Sequence, residues 1–311
     1  MALTLLEAAK GFDGDVIRQG VIEMFAKNSD LLRVLPFVNI EGNAYKYNQE
    51  DTLPGVGFRG VNEAYSTQAV GVLNPITESL VIAGGDVDVD PFIVATMGEG
   101  KRASQENMKI KALAQAISHK FIKGDSTTDP KEFDGLQARV TGNQLIANGA
   151  SSGGDVLSLA KLDEAIDAVD GPNALYMSKA MRRTLTSAAR NTSVGGYIRY
   201  DKDEFGRQIT LYNDLPILIA DGNADNYTTL AFDEANPGGG STVGTSIYVL
   251  GMGEGQFTGM QNGPMQVRDL GETQSGAPAL RTRIEWYVSP LVEHGRSVSR
   301  LWGIKSGAAV A

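Results

Sequence analysis

The sequence predicts an α+β fold, and two observations support this prediction. Residues 99–123 carry apolar side chains at helical spacing, namely Ile110, Leu113, Ala114, Ile117 and Phe121. At about 1.5 Å per residue, this helix is a rod of roughly 37 Å. Short apolar segments typical of strands then occur together with two further helical segments, at 157–169 and 178–191. The strands are predicted at 173–177, 208–212, 216–220, 246–250, 265–269 and 280–289.

Composition narrows the classes of function. The chain has 311 residues, of which 42% are hydrophobic and 21% charged, so a folded core is expected. It has no cysteine, which excludes disulfides, thiolate metal sites and cysteine nucleophiles. The first residues lack a secretory leader, and no apolar run is long enough for a membrane span. The net charge of −9 argues against sequence-specific binding to duplex DNA.

The most unusual segment lies between residues 31 and 84. Residues 31–40 are predicted to be extended, and residues 45–47 and 76–82 are predicted as two strands. A loop of about thirty residues separates these strands, and loops of this length are usually functional or disordered. Phe58, Val61 and Tyr65 make this one too apolar for an ordinary solvated loop. We therefore expect an arm that packs on a neighbouring subunit.

Several local features complete the prediction. Helices are expected at 2–10 and 15–27, and Gly124 and Asp155 are candidate helix caps. Residues 233–244 are expected to form an exposed flexible loop. Helix 99–123 is basic on its flanks, through Lys101, Arg102, Lys109, Lys111, Lys120 and Lys123. Two interpretations of these cations remain open, a solvated helix face or a face turned towards DNA or an acidic scaffold.

Motifs for catalysis or metal binding are weak. The chain has two histidines, His119 and His294, which cannot make the usual structural zinc site without cysteine. The G-x-S-x-G pattern around Ser151 lies in a polar stretch, whereas a nucleophile elbow joins a buried strand to a helix. The pattern Gly251-Met-Gly253-Glu-Gly255 lacks the third glycine of a dinucleotide loop and is interpreted as a bend. Asp86, Asp88 and Asp90 share one face of an extended segment and could attract a cation, but a solvated acidic strand is the preferred interpretation.

The order of these elements resembles the Hong Kong ninety-seven type major capsid protein of tailed phages. LLRVLPFVNIEGNAYKY resembles the start of the extended loop of that family, and HKFIKGDSTTDPKEFDGL resembles the end of its spine helix. DLPILIAD resembles a central strand of the axial domain, and RTRIEWYVSPLVEHGRSVSRLWGI resembles the closing strand and tail. The resemblance covers nearly the whole chain and depends on the ordered set of segments.

The resemblance implies a division into arm, loop and two domains. The N-terminal arm would comprise residues 1–34 and the extended β-hairpin loop residues 35–84. The peripheral domain would comprise residues 85–140 and 270–311, with the spine helix at 99–123. The axial domain would comprise residues 141–269. The family's N-terminal scaffolding domain is not recognisable, so a separate scaffolding protein, or none, is expected, and no crosslink through Lys46 is predicted.

The resemblance also implies a function. Pentamers and hexamers of the chain would tile an icosahedral shell that encloses double-stranded phage DNA by loose, non-specific contact. The chain would be a structural component of the virion, assembled in the host cytoplasm, with no enzymatic activity, cofactor, metal or membrane partner. A scaffolding protein, a portal and a decoration protein are further expected partners. A compact procapsid that expands as DNA enters, with shifts of the spine helix and extended loop, is a family expectation.

Three groups of residues are the candidate sites. Contacts between subunits are assigned to Phe58, Arg59, Glu63 and Tyr65. The loop lining the capsomer axis is assigned to Asp201, Lys202, Asp203, Glu204 and Arg207. The inward basic face of the spine helix is assigned to Lys101, Arg102, Lys109 and Lys111.

Other classes of protein remain as alternatives. An encapsulin, a cellular compartment with the same fold that encloses protein cargo, is the nearest. A serine hydrolase using Ser151 is the alternative enzyme, and a secreted adhesin is disfavoured by the absence of a signal peptide.

Overall fold

The structure is a computed structural model that describes residues 3–4, 29–52, 54–65, 72–149, 153–188, 198–202, 208–220, 229–240, 243–273 and 278–310. The helix predicted at 15–27 lies outside these residues. Within the helix predicted at 2–10, only Leu3–Thr4 are described, and they form a short strand.

The helices are α1 (Asp30–Val34), α2 (Pro91–Met97), α3 (Glu99–Lys123), α4 (Leu136–Arg139), α5 (Leu159–Asp167) and α6 (Lys179–Ala188). The strands are β1 (Leu3–Thr4), β2 (Pro36–Asn39), β3 (Ala44–Thr52), β4 (Val72–Ser79), β5 (Val81–Val89), β6 (Leu145–Ala147), β7 (Ala174–Met177), β8 (Ile198–Lys202), β9 (Gln208–Tyr212), β10 (Leu215–Ile219), β11 (Glu234–Ala235), β12 (Val243–Leu250), β13 (Phe257–Gln261), β14 (Gln266–Glu272), β15 (Leu280–Val292) and β16 (Val298–Ile304). This mixture confirms the predicted α+β class.

The first sheet lies beside the long helix α3. Its strand order is β1-β2-β13-β15-β14, and β5 pairs with the other side of β15. Ile110 and Phe121 of α3 share a buried apolar cluster with Ile284 and Trp286 of β15. This packing explains why α3 has one apolar face and one charged face.

The second sheet has the order β6-β16-β12-β7-β10-β9-β8, with β11 added beside β12. Strands β7 and β10 are parallel, whereas β12 runs antiparallel to both β7 and β16. Leu162 and Ile166 of α5 and Leu185 of α6 share the buried cluster of this sheet. The strands of the first and second sheets are thus two separate groups. The predicted domain boundaries remain a proposal.

Strands β3 and β4 form a hairpin of their own, which we call the arm. Its pairing runs from Ala44 opposite Ser79 to Thr52 opposite Val72. The predicted strand at 76–82 is therefore two strands, because the chain leaves the hairpin at Leu80 and pairs with β15 from Val81 onwards. The amide of Leu80 donates to the carbonyl of Asn43 (2.9 Å), which closes the base of the hairpin.

The predicted bounds of α3 are confirmed at both ends. Gly124 is its C-cap, and its amide donates to the carbonyl of Lys120 (2.8 Å). The φ of Gly124 is −60°, so the left-handed conformation is not the reason for glycine here. A Cβ at this position would instead clash with the carbonyl oxygens of Phe133 and Lys120. The glycine is needed because the chain folds back closely at the end of the helix.

Two local predictions were wrong. Residues 31–40 are not extended throughout, because Asp30–Val34 form a helical turn whose cap is Ser29, with Oγ accepting from Leu32 N at 3.3 Å. Burial of Leu31 and Leu32 favours this turn over a strand. The cap of α5 is Ser158 and not Asp155, whose Oδ1 accepts from the amide of Val156 instead.

The predicted exposed loop at 233–244 was also wrong, because part of it is buried. The side chains of Glu234 and Arg300 are only 3% and 7% exposed, and Arg300 Nη2 lies 2.8 Å from Glu234 Oε2. Ser246 Oγ donates to the same carboxylate and accepts from Arg300 Nε. The polar sequence DEANPGGG thus includes one half of a buried ion pair, whose other half is 66 residues away.

Candidate assembly surfaces

The loop tip, residues 54–65, presents large apolar side chains to solvent. Phe58 is fully exposed, and Val56, Val61 and Tyr65 are exposed by 83%, 92% and 69%. A contiguous group of exposed apolar residues on a protein surface usually marks an interaction site. The loop tip is therefore the strongest candidate for a contact with another molecule.

Three of the four predicted contact residues are joined within the loop tip. The amide of Gly60 donates to Glu63 Oε2 (2.9 Å), and Arg59 Nη1 donates to the carbonyl of Glu63 (3.3 Å). The guanidinium of Arg59 also lies 5.4 Å from the ring centre of Tyr65. Phe58 is not part of this group and points into solvent. These contacts fix the conformation of the loop tip, in which Phe58 and Tyr65 are exposed to solvent.

The base of the arm is fixed to the body by polar contacts. Tyr47 Oη donates to the carbonyl of Val292 (2.8 Å), and Tyr45 Oη donates to Glu293 Oε1 (3.1 Å). Burial, together with the charge of Glu78, raises the pKa of Tyr47 to about 12. The Tyr47 phenol therefore stays protonated and remains a hydrogen-bond donor at neutral pH.

The four predicted basic residues of the spine helix do not share one environment. Arg102 is tied to the first sheet, because its Nη2 lies 2.8 Å from Asp269 and donates to Thr282 Oγ1 (2.9 Å). Lys109 is half-buried and lies close to Gly85 of β5. Lys101 and Lys111 are exposed. Of the four predicted residues, Lys101 and Lys111 are therefore the two whose side chains are exposed to solvent.

The predicted capsomer-axis residues fall only partly within the described chain. Asp201 and Lys202 lie in β8, opposite Ile209 and Gln208 of β9. Asp203, Glu204 and Arg207 lie outside the described residues. Strand β8 is the last strand of the second sheet, so Asp201 and Lys202 lie at the outer end of that sheet.

The alternating aspartates 86, 88 and 90 are neither a metal site nor simply solvated. Asp86 pairs with Arg283 through two hydrogen bonds of 2.8 and 2.9 Å, and Asp88 pairs with Arg281 through bonds of 2.7 and 2.6 Å. These hydrogen bonds hold the pKa of both carboxyls below the usual range. Asp90 caps α2 through the amide of Phe92 (2.8 Å). The described residues contain no group of three or more acidic or histidine side chains suited to a metal ion.

The residues of the alternative hydrolase are not assembled by the described structure. His294 is exposed on the turn between β15 and β16, where its Nδ1 accepts from the amide of Arg296 (3.2 Å). Ser151 lies outside the described residues. Within the described chain, no helix is long and apolar enough to span a membrane.

His119 on α3 is expected to make the unfolding free energy depend on pH. Burial, reinforced by the charges of Lys123 and Lys120, lowers its pKa, while Asp233 and Glu132 oppose this effect. Between this lowered pKa and about pH 6.5, His119 therefore binds more protons in the unfolded chain than in the folded chain. We expect the unfolding free energy to decrease as the pH falls from 7.5 to 5, by less than about 1.4 kcal/mol per pH unit from this residue. Urea titrations at several pH values should show that the unfolding free energy depends less on pH in His119→Asn than in the wild type. The same pH dependence in both proteins would contradict the role of His119.

Comparison with known proteins agrees with this architecture. Residues 13–163 match the family of major capsid protein GP7. No curated protein sequence matches the chain. Among solved structures, the chain resembles the holo-SrpI encapsulin complex from Synechococcus elongatus PCC 7942, at 17% identity and a TM-score of 0.64, covering 100% of this chain and 99% of that one.

Two particle capsids are similarly close in structure. The capsid of cyanophage A-1(L) is 12% identical, with a TM-score of 0.60 and coverage of 94% of this chain and 95% of that one. The capsid of an empty GTA particle is 17% identical, with a TM-score of 0.59 and coverage of 89% and 90%. The chain thus has the Hong Kong ninety-seven type fold, as its element order predicted.

Proposed function

We propose that this chain, which has the Hong Kong ninety-seven type fold, is a major capsid protein that forms pentamers and hexamers and closes an icosahedral shell around double-stranded phage DNA. A major capsid protein is a structural component of the virion and not an enzyme. The exposed apolar loop tip is the observation that carries the proposal, because its side chains are buried only if another molecule covers them.

The loop tip would contact an adjacent copy of the chain. Burying apolar surface stabilises a contact by about 25 cal/mol per Å² before the costs of association. Phe58 and Tyr65 lie in the loop that joins the two strands of the arm and are exposed, so a neighbour can reach them. A contact repeated around every capsomer gains strength from multiplicity, so each individual contact can be weak.

The remaining parts of the proposal concern the interior, the axis and the partners. The exposed cations Lys101 and Lys111 would face the interior, where loose contact with DNA or a scaffold needs no sequence recognition. Asp201 and Lys202 would lie near the capsomer axis. Assembly would take place in the host cytoplasm, with a scaffolding protein, a portal and a decoration protein as partners.

An encapsulin-like compartment is the second candidate function. The likeness to the SrpI encapsulin complex extends over the whole of both chains, so the fold itself does not separate the two functions. The family match over residues 13–163 favours the phage capsid. The two candidates differ in what the shell would contain, nucleic acid or protein cargo.

Electron microscopy of the chain expressed alone tests the proposal. After size-exclusion chromatography, we expect closed shells, tubes, or rings of five and six subunits in negative stain. A monomer over a wide range of concentration and salt would contradict the proposal. Particles from the native source should then contain nuclease-protected double-stranded DNA, whereas particles filled with one folded protein would establish the encapsulin-like function.

A further inference from the structure

A buried ion pair fixes the arm where it leaves the body. Arg139, at the end of α4, makes a two-pronged pair with Glu78 of β4, in which Nη1 contacts Oε1 and Nη2 lies 2.8 Å from Oε2. Both side chains are about 85% buried, with exposures of 15% and 14%. Two-pronged pairs of this kind constrain direction as well as distance, because the guanidinium and the carboxylate must be coplanar.

The same arginine connects the arm to the end of the spine helix. Arg139 Nε donates to the carbonyl of Asp134 (2.6 Å), and the Asp134 carboxylate accepts from the amide of Ser126 (2.8 Å). Ser126 lies two residues beyond Gly124, the C-cap of α3. Hydrogen bonds through Asp134 and Arg139 therefore connect the segment that directly follows the spine helix to β4.

The arm has room to tilt beside this connection. A cavity of about 290 Å³ lies between the arm and the body, lined by Gln49 and Asn74 of the arm and by Arg139, Thr141, Gln144 and Gly295 of the body. Within the described chain, Gln144 Oε1 is buried here without a hydrogen-bond partner. Close packing thus does not fix the arm on this side, and a two-stranded hairpin is marginally stable by itself.

We infer that Arg139 is the positioning residue of the arm, setting the angle at which the loop tip is presented to the neighbouring subunit. The inference rests on the proposed function, since the loop tip is the surface being positioned. Tyr45 and Tyr47 hold the opposite strand of the arm, but Tyr47 bonds to the last residue of β15 and Tyr45 to the residue after it, and neither bonds to the spine helix. Arg139 alone of these three links the direction of the arm to the end of the spine.

The test replaces Arg139 and Glu78 by uncharged polar residues and so removes both charges of the pair. In Arg139→Gln/Glu78→Gln, we expect amide hydrogen exchange in β3 and β4 to become at least tenfold faster, while exchange in the centre of α3 stays unchanged. Particles of this variant should show a broader distribution of diameters in electron micrographs than the wild type. The matched control, Arg283→Gln/Asp86→Asn, removes a two-pronged pair elsewhere and should change neither the exchange of the arm nor the particle diameter.

The outcomes separate this inference from the proposed function. Unchanged exchange in the arm, or the same change in the control, would overturn the role of Arg139. Absence of particles from the wild type would contradict the proposed function, while the exchange measurement would still decide whether Arg139 holds the arm. Should the double variant fail to fold, Arg139→Lys keeps the charge but loses the two-pronged geometry, and it should give an intermediate exchange rate. Wild-type exchange in Arg139→Lys would overturn the inference.

Discussion

Replacing Phe58 and Tyr65 together by serine is expected to lower the yield of assembled particles at least tenfold, with no change in the fold. Both side chains are exposed in the free subunit, so their removal takes away no buried contact of the folded chain. Surface substitutions of this kind usually change the unfolding free energy by no more than about 0.5 kcal/mol. Analytical ultracentrifugation gives the assembled fraction, and thermal unfolding of the dissociated subunit gives the stability.

The control for this prediction is Leu270→Ser, which removes an apolar side chain that is 48% exposed on β14, away from the loop tip. Its assembled fraction should remain near that of the wild type. Normal assembly of the Phe58→Ser/Tyr65→Ser variant would show that the loop tip is not the contact between subunits. A large loss of unfolding free energy in that variant would show instead that these side chains stabilise the fold of their own subunit.

Replacing Arg300 by methionine is expected to destabilise the chain by about 3–5 kcal/mol, because it leaves the carboxylate of Glu234 buried without its counter-ion. The guanidinium of Arg300 also lies 5.8 Å from the ring centre of Tyr248 and 5.7 Å from that of Trp302, so packing is lost as well. Urea denaturation of the dissociated subunit measures the loss.

Two further variants show whether the unpaired charge causes this loss. In Arg300→Met/Glu234→Leu both charges are absent, and the double variant should be more stable than Arg300→Met alone. Arg281→Met removes the partner of Asp88 in a pair that is 35% and 42% exposed, and it should cost about 1 kcal/mol or less. If Arg300→Met/Glu234→Leu is no more stable than Arg300→Met, the loss of unfolding free energy is caused by lost packing and not by the unpaired charge.

Local sequence pattern determined the elements that depend on near neighbours. The bounds of α3 follow from apolar spacing within one helix, and the strand at 208–212 has the predicted bounds. The apolar character of residues 54–65 likewise marked this loop as unusual, and the structure shows its apolar side chains exposed; their contact with a neighbouring subunit stays a prediction. In each case, the physical cause lies within a few residues of the position predicted.

Missed strands show where local pattern is insufficient. Strand β13 reads FTGMQ, and all five residues are buried, so it lacks the alternation of a half-exposed strand. Its Gly259 is required because Phe37 of the neighbouring strand β2 packs directly against the backbone there. Strand β16 is similarly buried along most of its length and lies between β6 and β12 in the second sheet. The structure of such strands is decided by their neighbours.

The sequence by itself determined the α+β class, the long helix and the apolar loop tip, because each depends on spacing or composition within one segment. Only the tertiary structure decided which charges pair. Asp86 meets Arg283 across 197 residues, Glu78 meets Arg139 across 61, and Glu234 meets Arg300 across 66. A carboxylate has the same local sequence signature whether it is solvated, binds a metal or meets an arginine. Its role is therefore decided by the fold, which brings distant segments within hydrogen-bonding distance.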